Sequence, residues 1–168
     1  MKADDLERLI TATAGDVLRY FERRVTDRAD AADCLSEVLL ILWRDRDRVP
    51  NDAHEARLWM FGIARTILTA TRRLSARRSA QVERLRVVFE AGAHPEAASS
   101  TDLALDVRAA IAELPAAQRE VVQLHHWEGL PLVDIATITG VPASTVRSRY
   151  AAARTTLAAA LSTHHIDT

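Results

Sequence analysis

Cysteine is almost missing from this 168-residue chain: Cys34 stands alone, so no internal disulfide can form. It sits in an apolar helical stretch, where a small packing residue is the ordinary reading and a reactive thiol the alternative. Glycine and proline number five each, a scarcity that favours helices over turn-rich architectures. No apolar run approaches the ~18 to 20 residues of a membrane-spanning helix. The start, MKADDLERL, lacks the basic opening and apolar middle of a signal peptide. A soluble cytoplasmic protein is expected. There is no glycine-rich phosphate loop and no G-x-S-x-G elbow. The pairs His125-His126 and His164-His165 are adjacent, not at the three- or four-residue helical step of a metal site. No metal and no cofactor are expected.

What is present is alanine, leucine and arginine. The length suits one medium domain or two small ones, and small domains lean on well-patterned helices because their cores are thin. Net charge is −1, with a single lysine, Lys2, against 21 arginines. That total argues against nucleic acid, but local fields rather than totals steer a polyanion. Residues 1–64 carry ten basic and thirteen acidic side chains. Residues 65–86 then carry Arg65, Arg72, Arg73, Arg77, Arg78, Arg84 and Arg86 against Glu83 alone, a net of +6.

Apolar spacing predicts helices throughout. Leu6, Leu9, Ile10, Val17, Leu18 and Phe21 give a broken amphipathic pattern. Ala32, Leu35, Val38, Leu39 and Leu42 form one stripe. Val49-Pro50-Asn51-Asp52 interrupts, since proline cannot continue the hydrogen-bond ladder. Leu58, Phe61, Ala64, Ile67 or Leu68, Thr71 and Leu74 resume it, ending in the arginine-rich segment. From Glu90 to Thr101 the stretch EAGAHPEAASST carries no periodicity. A flexible linker over 89–102 therefore separates domains at 1–88 and 103–168, with Thr101 or Asp102 capping the next helix. An all-α fold of two small helical domains follows. Beyond the linker a helix runs from Leu103 to Leu114. Pro115 occupies the first turn of another that extends to about Trp127. Glu128 to Pro131 make a turn.

Residues 132–150, LVDIATITGVPASTVRSRY, read as a helix-turn-helix. Ala136 permits a close helix approach, Gly140 a left-handed stop, and Val146 a buried anchor inside the second helix. Val146, Tyr150, Ala153, Leu157 and Leu161 form its inward stripe. Ser144, Arg147, Ser148, Ala151 and Arg154 then face outward, where such a helix meets base edges and phosphates in a major groove.

The run LPAAQREVVQLHHWEGLPLVDIATITGVPASTVRSRYAAARTTL, 114–157, resembles region 4 of the extracytoplasmic-function (ECF) RNA polymerase sigma factors. RADAADCLSEVLLILWR, 28–44, resembles that family's core-polymerase-binding segment, and EARLWMFGIARTILTATRR, 55–73, its −10 segment. The resemblance implies a non-enzymatic protein that directs core RNA polymerase to promoter DNA. Its region 2 would dock on the clamp helices of the largest subunit, and its region 4 on the β-flap. It leaves room for an anti-sigma factor.

Carried over by residue, Asp33, Glu37, Leu40 and Trp43 fall in the core-polymerase-binding segment. Ser36 stands where the family often has Gln, and Leu39 where it often has Phe. Trp59, Arg65, Thr66, Arg72, Arg73 and Arg77 would serve −10 DNA, since an aromatic among cations suits single strands. Thr66 replaces a frequent Asn, and Ala70 a frequent acid. Gln118, Arg119, Ser144, Thr145, Arg147, Ser148, Ala151 and Arg154 would serve −35 DNA, with Ala151 small for its position. Trp43 reads equally as core aromatic or interface, and Trp59 first as core aromatic. Two rival readings remain: a dimeric helix-turn-helix regulator of duplex DNA, and a degenerate sigma-like adaptor that binds protein only.

Overall fold

Five helix starts in this chain are marked by acidic caps or by prolines, and the computed structural model shows both at work. It describes the backbone of residues 1–86 and 102–164 and the side chains of 1–78 and 107–162. The expected linker, apart from Asp102, lies outside the described residues, as do the cap role of Thr101 and the side chains of Arg84, Arg86, His164 and His165. The described residues form seven α-helices and one short 3-10 turn, with no strand among them. The chain divides into two compact units, Met1–Ala93 and His94–Thr168.

The first unit packs α1 (Ala3–Glu22), α2 (Arg28–Arg44) and α3 (Ala53–Arg86) against one another. Asp27 caps α2 by accepting from the Ala29 N–H at 2.8 Å, and such a cap contributes about 1 kcal/mol. Asp52 accepts from the Glu55 N–H at 2.9 Å at the start of α3. Leu6, Leu9, Val17, Tyr20 and Phe21 of α1, Val38 and Leu42 of α2, and Met60, Phe61 and Ala64 of α3 are all buried where the three helices pack. Full burial of one such side chain stabilises by about 1.5–3 kcal/mol. Tyr20 stacks edge-to-face on Phe21 and Phe61, with centroids 5.5 and 5.9 Å apart. A half-exposed ion pair, Arg57 to Asp16 at 3.2 Å, joins α3 to α1; screening limits such pairs to less than about 1 kcal/mol.

Two details of the expected stripes are corrected. On α2 the innermost row is Ala31, Cys34, Val38 and Leu42, while Ala32 is exposed. Leu74 of α3 is 49% exposed. Buried Cys34 lies with its Sγ 3.5 Å from the Thr71 hydroxyl, which accounts for it as a packing residue between α2 and α3. The charged stretch after α2 is a separate 3-10 turn, Arg46–Arg48.

The second unit contains α4 (Asp102–Glu113), α5 (Ala116–His126), α6 (Leu132–Thr139) and α7 (Ala143–His164). α7 packs on all three others. Ile111, Leu114, Val122 and Ala153 form one cluster of the unit's core, with Val107, Trp127, Tyr150 and Leu157 against it. Pro115, Pro131 and Pro142 each stand just before a helix and open it by accepting hydrogen bonds at their carbonyls, from Arg119, Ile135 and Val146 respectively. Pro115 is thus the residue outside α5 rather than inside its first turn: its ψ of 139° is extended. Gly140 ends α6 in the left-handed region at φ 68°, and its N–H returns to the Ala136 carbonyl at 2.9 Å.

Candidate polymerase and DNA interfaces

On α2 the outward row holds Asp33, Glu37, Leu40 and Trp43, all exposed. Steps of four, three and three place them on one side, opposite Ala31, Cys34, Val38 and Leu42. Leu40 is 70% and Trp43 57% exposed, which decides against Trp43 as a core aromatic. The Arg46 guanidinium lies 5.6 Å from the Trp43 ring centroid. Beside it, Arg44 and Asp45 pair in water: hydrogen bonding to Arg44 holds the Asp45 carboxyl below its ordinary range. Ser36 is also exposed, but its hydroxyl is turned back onto the Ala32 carbonyl at 2.9 Å. Leu39 is half-buried on the flank.

The −10 set divides into two rows on α3. Trp59, Thr66 and Arg73 recur every seven residues, and with Arg77 they share one face. Thr66, Arg73 and Arg77 are exposed; Trp59 is half-buried. Arg65 and Arg72, also seven apart, lie on the neighbouring row. Arg72 is exposed and donates to the Arg24 carbonyl at 3.4 Å, and Arg65 is half-buried and engaged. The Thr66 hydroxyl donates to the Gly62 carbonyl at 3.0 Å, so this face presents a methyl group where the family often has an amide.

The −35 set gathers mainly on α7. Val146 and Ala153 are fully buried, and Ser144, Arg147, Ser148, Ala151 and Arg154 are exposed on the opposite side. Thr145 is half-buried. Gln118 and Arg119 lie instead in the first turn of α5 and are half-buried. Arg119 donates to the Leu114 carbonyl at 3.0 Å, while Arg119 Nε and Gln118 Oε1 are buried with no hydrogen-bond partner.

One cluster escapes sequence reasoning. His125, His126 and Tyr150 stack edge-on or tilted, with centroids 4.8 to 5.8 Å apart. The Tyr150 hydroxyl lies 3.1 Å from His126 Nε2, and Arg154 lies 5.9 Å from the Tyr150 ring centroid. Partial desolvation, then the charges of His125 and Arg154, push the His126 imidazole below its ordinary pKa. His126 and Tyr150 are 24 positions apart, so no local spacing announces them. Among the described residues no group of three His, Cys, Asp or Glu could hold a metal ion.

A helix-turn-helix with an arginine-bearing outer face, and a separate three-helix unit with an apolar outer row, define a DNA-binding protein of the sigma-70 class. Residues 9–79 match the Sigma-70 region 2 family and residues 104–157 the Sigma-70 region 4 family. The ECF RNA polymerase sigma factor SigL of Mycobacterium tuberculosis (strain ATCC 25618 / H37Rv) is 32% identical over 136 residues, covering 78% of this chain and 74% of the relative. SigC of M. tuberculosis (strain CDC 1551 / Oshkosh) is 34% identical over 158 residues, covering 92% and 82%. The sigma factor RpoE of Bartonella quintana, solved with the anti-sigma factor NepR, superposes with TM-score 0.69 at 25% identity over 95% of this chain and 98% of that one. CnrH, solved with the cytosolic domain of CnrY, shares the fold: TM-score 0.66, 20% identity, 94% and 88% covered.

The chain belongs to the ECF RNA polymerase sigma factors. It is a non-enzymatic factor that directs RNA polymerase to promoters for transcription initiation. Membership sets aside the dimeric-regulator reading. Among the described residues no helix is long and apolar enough to cross a membrane.

Proposed function

We propose that the two units divide the work of a sigma factor. The row Asp33, Glu37, Leu40 and Trp43 docks on the clamp helices of the polymerase's largest subunit. Trp59, Thr66, Arg73 and Arg77, flanked by Arg65 and Arg72, hold the melted non-template strand at −10 through stacking and phosphate pairing. The outer face of α7 reads −35 duplex DNA, with Gln118 and Arg119 toward the backbone, and the second unit docks on the β-flap. Functional boundaries at 1–88 and 103–168, joined by 89–102, serve this division. Work on chromosomal promoters places the protein in the cytoplasm. An anti-sigma factor that covers the polymerase-binding row is a further partner, supported by the NepR complex of RpoE.

The observation that carries this reading is the α2 row. Two large apolar side chains, 70% and 57% exposed, stand on a helix whose opposite side is already filled. Such a patch has no folding role, and aromatic and aliphatic anchors are what protein interfaces bury. Core polymerase should retain the chain stoichiometrically in a pull-down, and the reconstituted pair should initiate on a subset of genomic DNA fragments. A chain that binds DNA yet is not retained by core polymerase refutes the assignment of this row.

A further inference from the structure

We infer that His126 is a DNA-contacting residue of the −35 interface, set beside Arg154 to bind a backbone phosphate as an imidazolium. The inference rests on the assignment of the α7 face to −35 DNA. His126 is exposed at the last position of α5, and the Tyr150 hydroxyl fixes its ring at Nε2 across 3.1 Å. Tyr150 stands one helical turn before Arg154. Arg154 follows Arg147 by seven residues and so shares its face. The cluster therefore puts an imidazole at the edge of the surface that meets DNA.

The chemistry suits an anion. Among the described residues His126 Nδ1 has no hydrogen-bond partner, so in the imidazolium, where both ring nitrogens carry protons, it is the nitrogen free to donate outward while Nε2 faces the Tyr150 hydroxyl. The neighbouring ring is committed elsewhere: His125 Nδ1 lies 2.8 Å from the Leu130 carbonyl. The charges acting on His126 are His125 on its own helix and Arg154 on α7, with Tyr150 facing it from α7. Among the described residues no carboxylate, and no charge from α4 or α6, acts on it.

Desolvation and the neighbouring charges thus hold this imidazole below its ordinary pKa in the free protein. A phosphate between His126 and Arg154 reverses the local field and raises its proton affinity. DNA binding then takes up a proton at His126. Affinity rises as pH falls through the pKa of the complex, and one more counterion is released. A histidine that merely packs on tyrosine predicts none of this.

The test compares holoenzyme carrying wild-type chain or His126→Asn on duplex promoter DNA, between pH about 5.5 and about 8, across a salt series. The wild-type to variant ratio cancels the polymerase's own pH response. The ratio should be near one at high pH and several-fold at low pH, with the wild-type salt slope steeper by about 0.9 there. In the full-length wild-type chain, the His126 ring should titrate at higher pH once −35 duplex is added, as read by NMR. A ratio flat in pH with DNA binding intact, or a titration that DNA leaves unmoved, overturns this inference alone. If neither protein binds the duplex at any pH, the α7 assignment falls with it.

Discussion

Leu40 and Trp43 stand in water on α2 while Leu42, between them in sequence, is fully buried. This alternation separates binding from stability at single-residue resolution. Leu42→Ala leaves a cavity and should cost about 2–5 kcal/mol of folding free energy. Leu40→Ser and Trp43→Ala should each change stability by less than about 0.5 kcal/mol, yet weaken core-polymerase binding at least tenfold, as loss of an interface anchor does. Thermal unfolding and a binding titration on the same three variants check this. Equal losses of stability from Trp43→Ala and Leu42→Ala would make Trp43 a packing residue. The sequence shows which helix carries these residues but not which flank is inward. Ala32 and Ala31 are chemically equivalent in a hydropathy pattern, and only packing against the other helices decides that Ala31 is covered. Leu74 continues the α3 period past the point where α1 and α2 can reach it. His126 carries no signal at all, because its partner comes from another helix.

At the scale of elements, boundaries are the best-encoded feature, since each has a local chemical cause. Asp27, Asp52 and the prolines before α5, α6 and α7 mark starts, and Gly140 marks a stop. The 3-10 turn after α2 is different: its alternating Asp and Arg fit any exposed conformation. Glycines offer a paired experiment. A Cβ at Gly140 meets nothing within 4 Å, but its φ of 68° is left-handed. Gly140→Ala should therefore cost about 1–2 kcal/mol from backbone strain alone. Gly62, inside α3, also has nothing within 4 Å of its Cβ position, and there the backbone is helical. Gly62→Ala should stabilise by about 0.5–1 kcal/mol, because alanine loses less freedom on folding. Denaturant midpoints at constant slope measure both. Two changes of the same sign would mean that the turn after α6 tolerates an L-residue and is not what fixes the start of α7.

Across the whole molecule, the net charge of −1 conceals two cationic surfaces that belong to different units. Motif order made both legible in the sequence, since the regions match at 9–79 and 104–157. What each surface does to DNA depends on geometry that the charge count does not contain. Arg147 projects from α7 directly after fully buried Val146, so its reach is set by a rigid helix. A forked bond from it to guanine makes Arg147→Ala cost about 1–3 kcal/mol, and only at one −35 base pair. Arg73 stands in the −10 row of α3 and Arg72 on the face beside it, touching the Arg24 carbonyl. Replacing both with Ala should weaken opening on every promoter alike and lower the salt slope by about 0.7 for each single-strand phosphate that is no longer neutralised. Holoenzyme binding and open-complex yield, over a salt series and a set of single-base promoter changes, separate these effects. If Arg147→Ala weakens all −35 variants equally, Arg147 clamps a phosphate and sequence is read elsewhere on α7. If the Arg72 and Arg73 double variant opens promoters normally, those two arginines are a solvated face, and strand capture rests on Trp59, Thr66 and Arg77.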